Sequence, residues 1–165
     1  MSLSDRRAVL GGLGLALLGL PGCLRPMLAK GGAAANLRGR VSYPSINDRF
    51  GYFMNESLSS RLGRTGTAAY RLEIARTITE AGVAIARDSS ATRINLLVKA
   101  NWRLVRVSDG KALMTDELVL QSGYNATTSL YATRQTRRDI ERRLARNLGE
   151  RIARTLQARA DEIDT

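Results

Sequence analysis

Apolar and polar side chains alternate along several stretches of the chain, and this spacing of two is typical of β-strands. The alternation is clearest over residues 94–104 and is also present over residues 37–43 and 70–79. Residues 80–88 are rich in alanine and fit either a helix or a continuation of the second strand. We favour one long, bent strand. A fourth strand is expected after the turn at Asp109–Gly110.

Two other stretches repeat apolar side chains at three and four residues, which is the spacing of a helix that buries one face. The first runs from Phe50 to Leu62, with Asn47 or Asp48 available as its N-terminal cap and Gly63 as its stop. Its aromatic side chains are interpreted as part of the core rather than as a ligand pocket. The second helix closes the chain, and its apolar residues follow at steps of four: Ile140, Leu144, Leu148, Ile152 and Leu156.

The turn between the third and fourth strands raises a question of register. A two-residue loop at Asp109–Gly110 would place Trp102 opposite Glu117, whereas the apolar side chain expected on that face is Leu118. One extra residue in the fourth strand would correct this mismatch. We therefore predict a β-bulge near residues 115–116, which brings Trp102 opposite Leu118.

The predicted elements follow one another in the order β-α-β-β-β-α and indicate a single α+β domain. We expect a four-stranded, largely antiparallel sheet with both helices on one face. The even-numbered side chains of residues 94–104, Trp102 among them, should lie beneath the helices. Residues 23–165 amount to one domain and are numerous enough to enclose a core without disulfides.

The N-terminal apolar segment has the pattern of an export signal. Arg6 and Arg7 precede an uncharged apolar run of 13 residues, from Ala8 to Leu20, which is too short to span a membrane. The sequence Leu-Pro-Gly-Cys that follows resembles a bacterial lipobox, in which cleavage leaves Cys23 first and acyl chains are added to its thiol and its amine. The general export route and the twin-arginine route both stay open.

This interpretation divides the chain into three parts. Residues 1–22 are predicted to be a lipoprotein signal peptide, residues 23–36 a lipidated flexible tether, and residues 37–165 the folded domain. The tether has no apolar period and is rich in glycine and alanine, as flexible linkers often are.

The chain is strongly basic, with 26 lysines and arginines against 15 aspartates and glutamates and a formal net charge of +11. Residues 1–22 hold two arginines and one aspartate, so the remainder carries +10. Nucleic acid, anionic lipid and phosphorylated glycolipid are all attracted by such a charge. The arginines of the last predicted helix are either a solvated face with local ion pairs or a surface that docks a partner.

Four cations near the third strand are candidates for anion binding. Lys99, Arg103 and Arg106 lie on that strand and Lys111 lies at the hairpin, so they could form a basic strip suited to phosphate groups. Ordinary solvation of the sheet is the simpler alternative.

Catalysis is not expected from this sequence. The chain has no histidine, and Cys23 is its only cysteine, which excludes an internal disulfide and the usual zinc ligand sets. No nucleophile motif and no phosphate-binding glycine motif is present in a suitable context. We therefore expect no enzyme activity, no cofactor and no metal site.

The element order, the lipobox and two local stretches together resemble the LPS-assembly lipoprotein family LptE in its alphaproteobacterial form. The local matches are "LRGRVSYP" at residues 37–44 and "FGYFMNESL" at residues 50–58. The stretch "CLRPMLA" keeps Cys23, Pro26 and the apolar Met27 of the segment that begins with the family's lipobox cysteine, but it lacks the glycine and the aromatic residue typical there.

The resemblance implies an outer-membrane lipoprotein, anchored by Cys23 at the periplasmic face, that plugs the LptD β-barrel and helps deliver lipopolysaccharide to the outer leaflet. It also implies that lipopolysaccharide is bound through basic residues, for which we expect the strip of Lys99, Arg103, Arg106 and Lys111 to contact the lipid A phosphates. One alternative is an outer-membrane lipoprotein of another envelope transport machine, whose arginine-rich helix docks an acidic partner. The other is a cytoplasmic nucleic-acid-binding protein, which the sparse aromatic residues argue against, so that no nucleic acid partner is expected.

Overall fold

The structure is a computed structural model that describes residues 32–85 and 92–163. The predicted signal peptide, Cys23 and most of the predicted tether lie outside these residues. In chain order the described elements are α1 (Ala33–Asn36), β1 (Val41–Ser42), α2 (Arg49–Leu62), β2 (Tyr70–Ile85), β3 (Thr92–Arg106), β4 (Ala112–Ala126), α3 (Leu130–Ala158) and a 3₁₀-helix (Ala160–Glu162).

The four strands form one sheet in the order β1-β2-β3-β4, in which β1 runs parallel to β2 and the other neighbours are antiparallel. With α2 and α3 over the same face, this arrangement confirms the predicted α+β class and the largely antiparallel sheet. β2 continues to Ile85 through a shift in register between Gly82 and Ala84. The long second strand is therefore confirmed over the part of residues 80–88 that the structure describes.

The hairpin loop between β3 and β4 is longer than predicted. It has four residues, 107–110, rather than two, because the Arg106 amide donates a hydrogen bond to the Lys111 carbonyl at 2.9 Å. Gly110 has a φ of 70° and closes this loop as its last residue, instead of serving as the second residue of a tight turn.

The longer loop moves the bulge and the register of β4. The extra residue is Leu113, closer to the turn than the predicted residues 115–116, because the register shifts directly after the loop. Trp102 consequently faces Asp116 rather than Leu118. The alternation of β4 is nevertheless as predicted, since Leu118 still shares the covered face with Trp102.

The chain before α2 is less extended than its alternating pattern suggested. Of residues 37–43, only Val41–Ser42 pair as a strand, because Gly39 turns the backbone at a φ of 73°. Order also begins earlier than the predicted boundary at Leu37. Ala33–Asn36, the end of the predicted tether, form one helical turn that packs against α3 and the 3₁₀-helix.

The first predicted helix is confirmed at both ends. The Asp48 side chain accepts a hydrogen bond at 2.6 Å from a backbone amide in the first turn of α2, and Gly63 follows the last turn at a φ of 80°. α3 begins at Leu130, where the Ser129 hydroxyl caps its first turn. None of the helices in residues 32–85 and 92–163 is both long and apolar enough to cross a membrane.

The core lies between the covered face of the sheet and the two long helices. The prediction for the even-numbered side chains of β3 is confirmed, since five of them are at most 1 % exposed: Leu96, Val98, Ala100, Trp102 and Leu104. Ile94, the first of the set, is half-buried and packs against the edge of the core. α2 and α3 approach each other closely at Gly149, where a Cβ atom would lie 2.6 Å from the Met54 carbonyl oxygen. This close contact fixes which side chains of the two helices can meet.

Candidate functional site

Two of the four candidate cations, Lys99 and Arg103, lie on the open face of the sheet. The Lys99 ammonium is 3.0 Å from the Glu117 carboxylate of β4, and the Arg103 guanidinium is 2.5 Å from the Glu73 carboxylate of β2. Glu73 also accepts a hydrogen bond from Arg71 at 2.9 Å. Each of these cations therefore already has a carboxylate partner.

The contacts on the open face change the titration of Glu73. The pKa of its carboxyl is lowered, first because Arg103 donates a hydrogen bond to it and next because Arg71 donates another. Loss of hydration opposes this shift without reversing it. Glu73 thus stays ionised at neutral pH and offsets part of the positive charge beside it.

The other two candidate cations lie at the end of the sheet, around Asp109. Arg106 is on the opposite side of β3 from Arg103, and its guanidinium is 3.3 Å from the Asp109 carboxylate. The Lys111 side chain is exposed. The Lys111 backbone amide donates a hydrogen bond to the Asp109 carboxylate at 3.0 Å, and this bond is the main cause of the lowered pKa of Asp109. Only Lys99 and Arg103 share a face, about 13 Å apart along β3. The four cations do not form one continuous strip.

A second group of cations surrounds the ring of Phe53, where α2 packs beside α3. The guanidinium carbons of Arg49, Arg142 and Arg146 lie 5.8, 5.3 and 5.2 Å from the centre of this ring. These distances fall within the range of cation–π contacts, in which guanidinium groups lie over aromatic faces. We call Phe53 and the three arginines the Phe53 cluster.

The Phe53 cluster holds more positive than negative charge. Arg146 is 3.1 Å from the Glu56 carboxylate, whereas Arg49 and Arg142 have no ion pair with any residue that the structure describes. Three guanidinium groups and one ion-paired carboxylate leave a net charge of +2. The Asp139 carboxylate also attracts Arg142, but its ion pair is with Arg143. The Nε atom of Arg142 is also buried and has no hydrogen-bond partner in the described chain.

Several other arginines near α3 are balanced by carboxylates. These pairs are Arg137 with Glu80 and Glu141, Arg143 with Asp139, Arg154 with Glu150, and Arg159 with Glu162. Arg138, one turn before Arg142, differs from them because it has no ion pair among residues 32–85 and 92–163. Like charges four residues apart destabilise a helix. Repulsion between Arg138, Arg142 and Arg146 therefore lowers the stability of α3.

A surface cavity of about 940 Å³ adjoins the Phe53 cluster, between residues 43–49 and α2. Arg49 and Tyr52 line the side nearest the cluster. Tyr52 is 65 % exposed, and its ring meets the ring of Phe53 edge to face at 5.3 Å. On the far side, burial raises the pKa of Tyr43 to about 12, and the Tyr43 hydroxyl donates to a backbone carbonyl 2.5 Å away. The cavity lining therefore combines aromatic side chains with two arginines, Arg49 and Arg64, and two carboxylates, Asp48 and Glu56.

The Phe53 cluster is not apparent from the sequence alone. The helical spacing of Phe53 suggests a core residue, but its ring is only half-buried and the arginines lie around its outer part. The steps of four between Arg138, Arg142 and Arg146 can be read from the sequence. The contacts of Arg142 and Arg146 with Phe53 cannot, because they depend on how two helices pack that are far apart in the chain.

Cys23, the predicted lipidation residue, lies outside the residues that the structure describes. The lipobox therefore stays a prediction from the sequence, with no structural description attached to it.

No protein-family model and no curated protein matches the sequence. Solved structures do match the fold. A Caulobacter crescentus protein described as a lipoprotein is 20 % identical, with 78 % of this chain and 96 % of that chain covered and a TM-score of 0.62. Rare lipoprotein B from Shewanella oneidensis is 9 % identical, with coverages of 76 % and 97 % and a TM-score of 0.56. Lipoprotein B from Nitrosomonas europaea is 10 % identical, with coverages of 72 % and 80 % and a TM-score of 0.55. The chain thus shares its fold with bacterial lipoproteins.

Proposed function

We propose that this protein is an outer-membrane lipoprotein that forms a plug complex with the LptD β-barrel and assists lipopolysaccharide assembly. The observation that carries the proposal is the fold, a four-stranded sheet with two helices on one face, which extends over most of the chain and of rare lipoprotein B. The predicted lipobox at Cys23 supports an anchor at the periplasmic face of the outer membrane. In this role the protein binds its partners and does not catalyse a reaction.

The two outer edges of the sheet support a role inside a larger protein. β4 is an edge strand of 15 residues, and within the described chain β2 pairs with β1 at only two positions. Long edges of this kind present backbone donors and acceptors that invite pairing with other chains. Enclosure by a barrel wall would shield both edges, which fits a plug.

The basic character of the chain supports contact with lipopolysaccharide. Residues 23–165 carry a net charge of +10, and lipid A phosphates are anions that such a surface attracts. On the sheet, a phosphate would have to displace carboxylates that already contact the cations. The residues predicted from the sequence for this contact are Lys99, Arg103, Arg106 and Lys111.

Affinity purification of the full chain from detergent-solubilised membranes tests the proposed complex. We expect LptD to copurify in a stoichiometric amount and to be identified by mass spectrometry. Copurification of a different envelope transport machine would contradict the LptD assignment and favour the first alternative. A cytoplasmic chain that retains Met1 and binds RNA or DNA in a salt-dependent way would contradict the envelope location as well.

The anchor is tested by Cys23→Ser. Because this thiol is the only one in the chain, we expect the variant to incorporate no palmitate analogue and to accumulate as a precursor outside the outer-membrane fraction. The unaltered chain, labelled in parallel, is the control. A variant that still incorporates the label and fractionates with the outer membrane would show that the lipobox is misassigned.

A further inference from the structure

We propose that the Phe53 cluster binds a phosphate monoester carried on a sugar, the group that a phosphorylated glycolipid such as lipid A presents. The inference rests on the proposed function in lipopolysaccharide assembly, and it assigns the phosphate contact to the seam between α2 and α3 rather than to the sheet.

Charge balance supports a phosphate monoester as the ligand. The cluster carries +2, because Arg49 and Arg142 have no ion pair in the described chain and Arg146 has Glu56. A phosphate monoester carries about −1.5 to −2 near pH 7, so one such group neutralises the cluster. A phosphodiester, as in phospholipid headgroups, carries a single negative charge and would leave the cluster half-neutralised.

The arginines are already held in a geometry suited to this anion. Guanidinium groups bind phosphate through two parallel N–H donors, and contact with an aromatic face limits the orientations they sample. All three guanidinium carbons lie within 5.8 Å of the centre of the Phe53 ring. Burial of the Arg142 Nε atom removes part of the hydration of that guanidinium, which strengthens its attraction to an anion at its exposed side.

The surroundings of the cluster have room for the sugar that carries the phosphate. The cavity of about 940 Å³ begins at Arg49 and Tyr52, next to the cluster. Tyr52 is largely exposed, and its amphipathic ring offers both apolar surface and a hydroxyl group. A free phosphate ion would use only the arginines, whereas a phosphorylated glycolipid would use the arginines and this cavity.

Matched charge variants of the full chain, purified in a non-ionic detergent, test the proposal. The cluster variant is Arg49→Gln, Arg142→Gln and Arg146→Gln, and the control is Arg143→Gln, Arg151→Gln and Arg154→Gln, which removes the same charge from exposed positions of α3. We expect the dissociation constant for lipopolysaccharide to rise about tenfold or more in the cluster variant and less than about twofold in the control. A third variant, Lys99→Gln, Arg103→Gln and Lys111→Gln, should resemble the control.

The source of the phosphate is tested with three lipids in the same detergent. Lipid A should bind the unaltered chain tightly, and dephosphorylated lipid A should bind it about as weakly as lipid A binds the cluster variant. Phosphatidylglycerol should compete poorly with lipid A. Equal competition by phosphatidylglycerol would contradict a site selective for a phosphate monoester on a sugar.

Glu56→Gln gives a second test that does not depend on weakening the fold. This carboxylate competes with the ligand for Arg146, so its removal should tighten lipid A binding about two- to fivefold. A purely structural role of the cluster predicts no such gain, and an unchanged affinity would overturn the proposal even if the triple variant fails to fold.

If the unaltered chain binds lipopolysaccharide but the cluster and control variants bind it equally well, the assignment is wrong and the proposed function survives. A full chain that binds no lipopolysaccharide overturns both.

Discussion

The open face of the sheet and the Phe53 cluster both present cations, but they differ in the number of carboxylates beside them. On the sheet, Lys99 contacts Glu117 and Arg103 contacts Glu73. In the cluster, three guanidinium groups surround one ring and only one of them, that of Arg146, contacts a carboxylate. The number of cations on a surface therefore does not show where an anion binds, since neighbouring carboxylates compete for the same donors. The sheet face also keeps an excess of positive charge, because Arg71 and Arg103 share Glu73. The difference is that each candidate cation of the sheet face already contacts a carboxylate, whereas Arg49 and Arg142 of the Phe53 cluster have no ion pair in the described chain, which is why we propose the cluster as the anion site.

The largest expected effect concerns the two faces of β3. Trp102 is 1 % exposed beneath the helices, so Trp102→Ala should lower the free energy of unfolding by about 3 to 5 kcal/mol. The matched control is Asn101→Ala, one residue earlier on the open face, which should stay within about 0.5 kcal/mol of the unaltered chain. Denaturant unfolding measures both values. A loss under about 1 kcal/mol for Trp102→Ala would show that this face of the sheet is not the core.

The next effect tests the helix contact on which the cluster depends. Gly149→Ala would place a Cβ atom 2.6 Å from a backbone oxygen of α2, so we expect a loss of about 1 to 3 kcal/mol despite the better helix propensity of alanine. Gly82→Ala is the control, because a Cβ atom there has no neighbour within 4 Å. Thermal unfolding of the two variants gives the comparison. An unchanged or higher melting temperature for Gly149→Ala would mean that the helices lie further apart than described.

The smallest effect is electrostatic and concerns the balance on the open face. The folded pKa of Glu73 lies below its ordinary value of 4.5, so its contacts stabilise the fold fully above that value and are lost as the pH falls through the folded pKa. Arg103→Gln should raise the pKa of Glu73 towards 4.5, which NMR titration of the carboxyl carbon measures. Arg143→Gln, the control, should leave Glu73 unchanged and raise the pKa of Asp139 instead, because Arg143 is the main cause of that lowered pKa. An unaltered pKa of Glu73 in Arg103→Gln would show that the ion pair does not form in solution.

Much of the fold follows from local patterns in the sequence. The period of two identified β2 and β3 and the covered face of β3, and the spacing of Phe50 and Leu62 with their flanking caps identified α2. The register of β4 did not follow, because Asp109–Gly110 is compatible with a two-residue loop and with the end of a four-residue loop. Local sequence does not distinguish these loops, and the choice between them moves every pairing that follows.

The candidate site was less predictable than the fold. The cations of β3 could be identified from the sequence, but the carboxylates that balance them, Glu73 and Glu117, lie on neighbouring strands. Whether they meet depends on the register of three strands. The Phe53 cluster joins Arg49 to Arg142 across about half of the chain, so it appears only once the helices are packed.

Delivery of lipopolysaccharide in living cells tests the proposed function most directly. After depletion of the protein in the bacterium that encodes it, pulse-labelled lipopolysaccharide is followed to the outer leaflet by surface-accessible chemistry. We expect newly made lipopolysaccharide to stop reaching the outer leaflet and to accumulate at the inner membrane, with recovery when the unaltered chain is restored and little recovery with the Phe53 cluster variant. Unchanged delivery of lipopolysaccharide to the cell surface in depleted cells would contradict the proposed function.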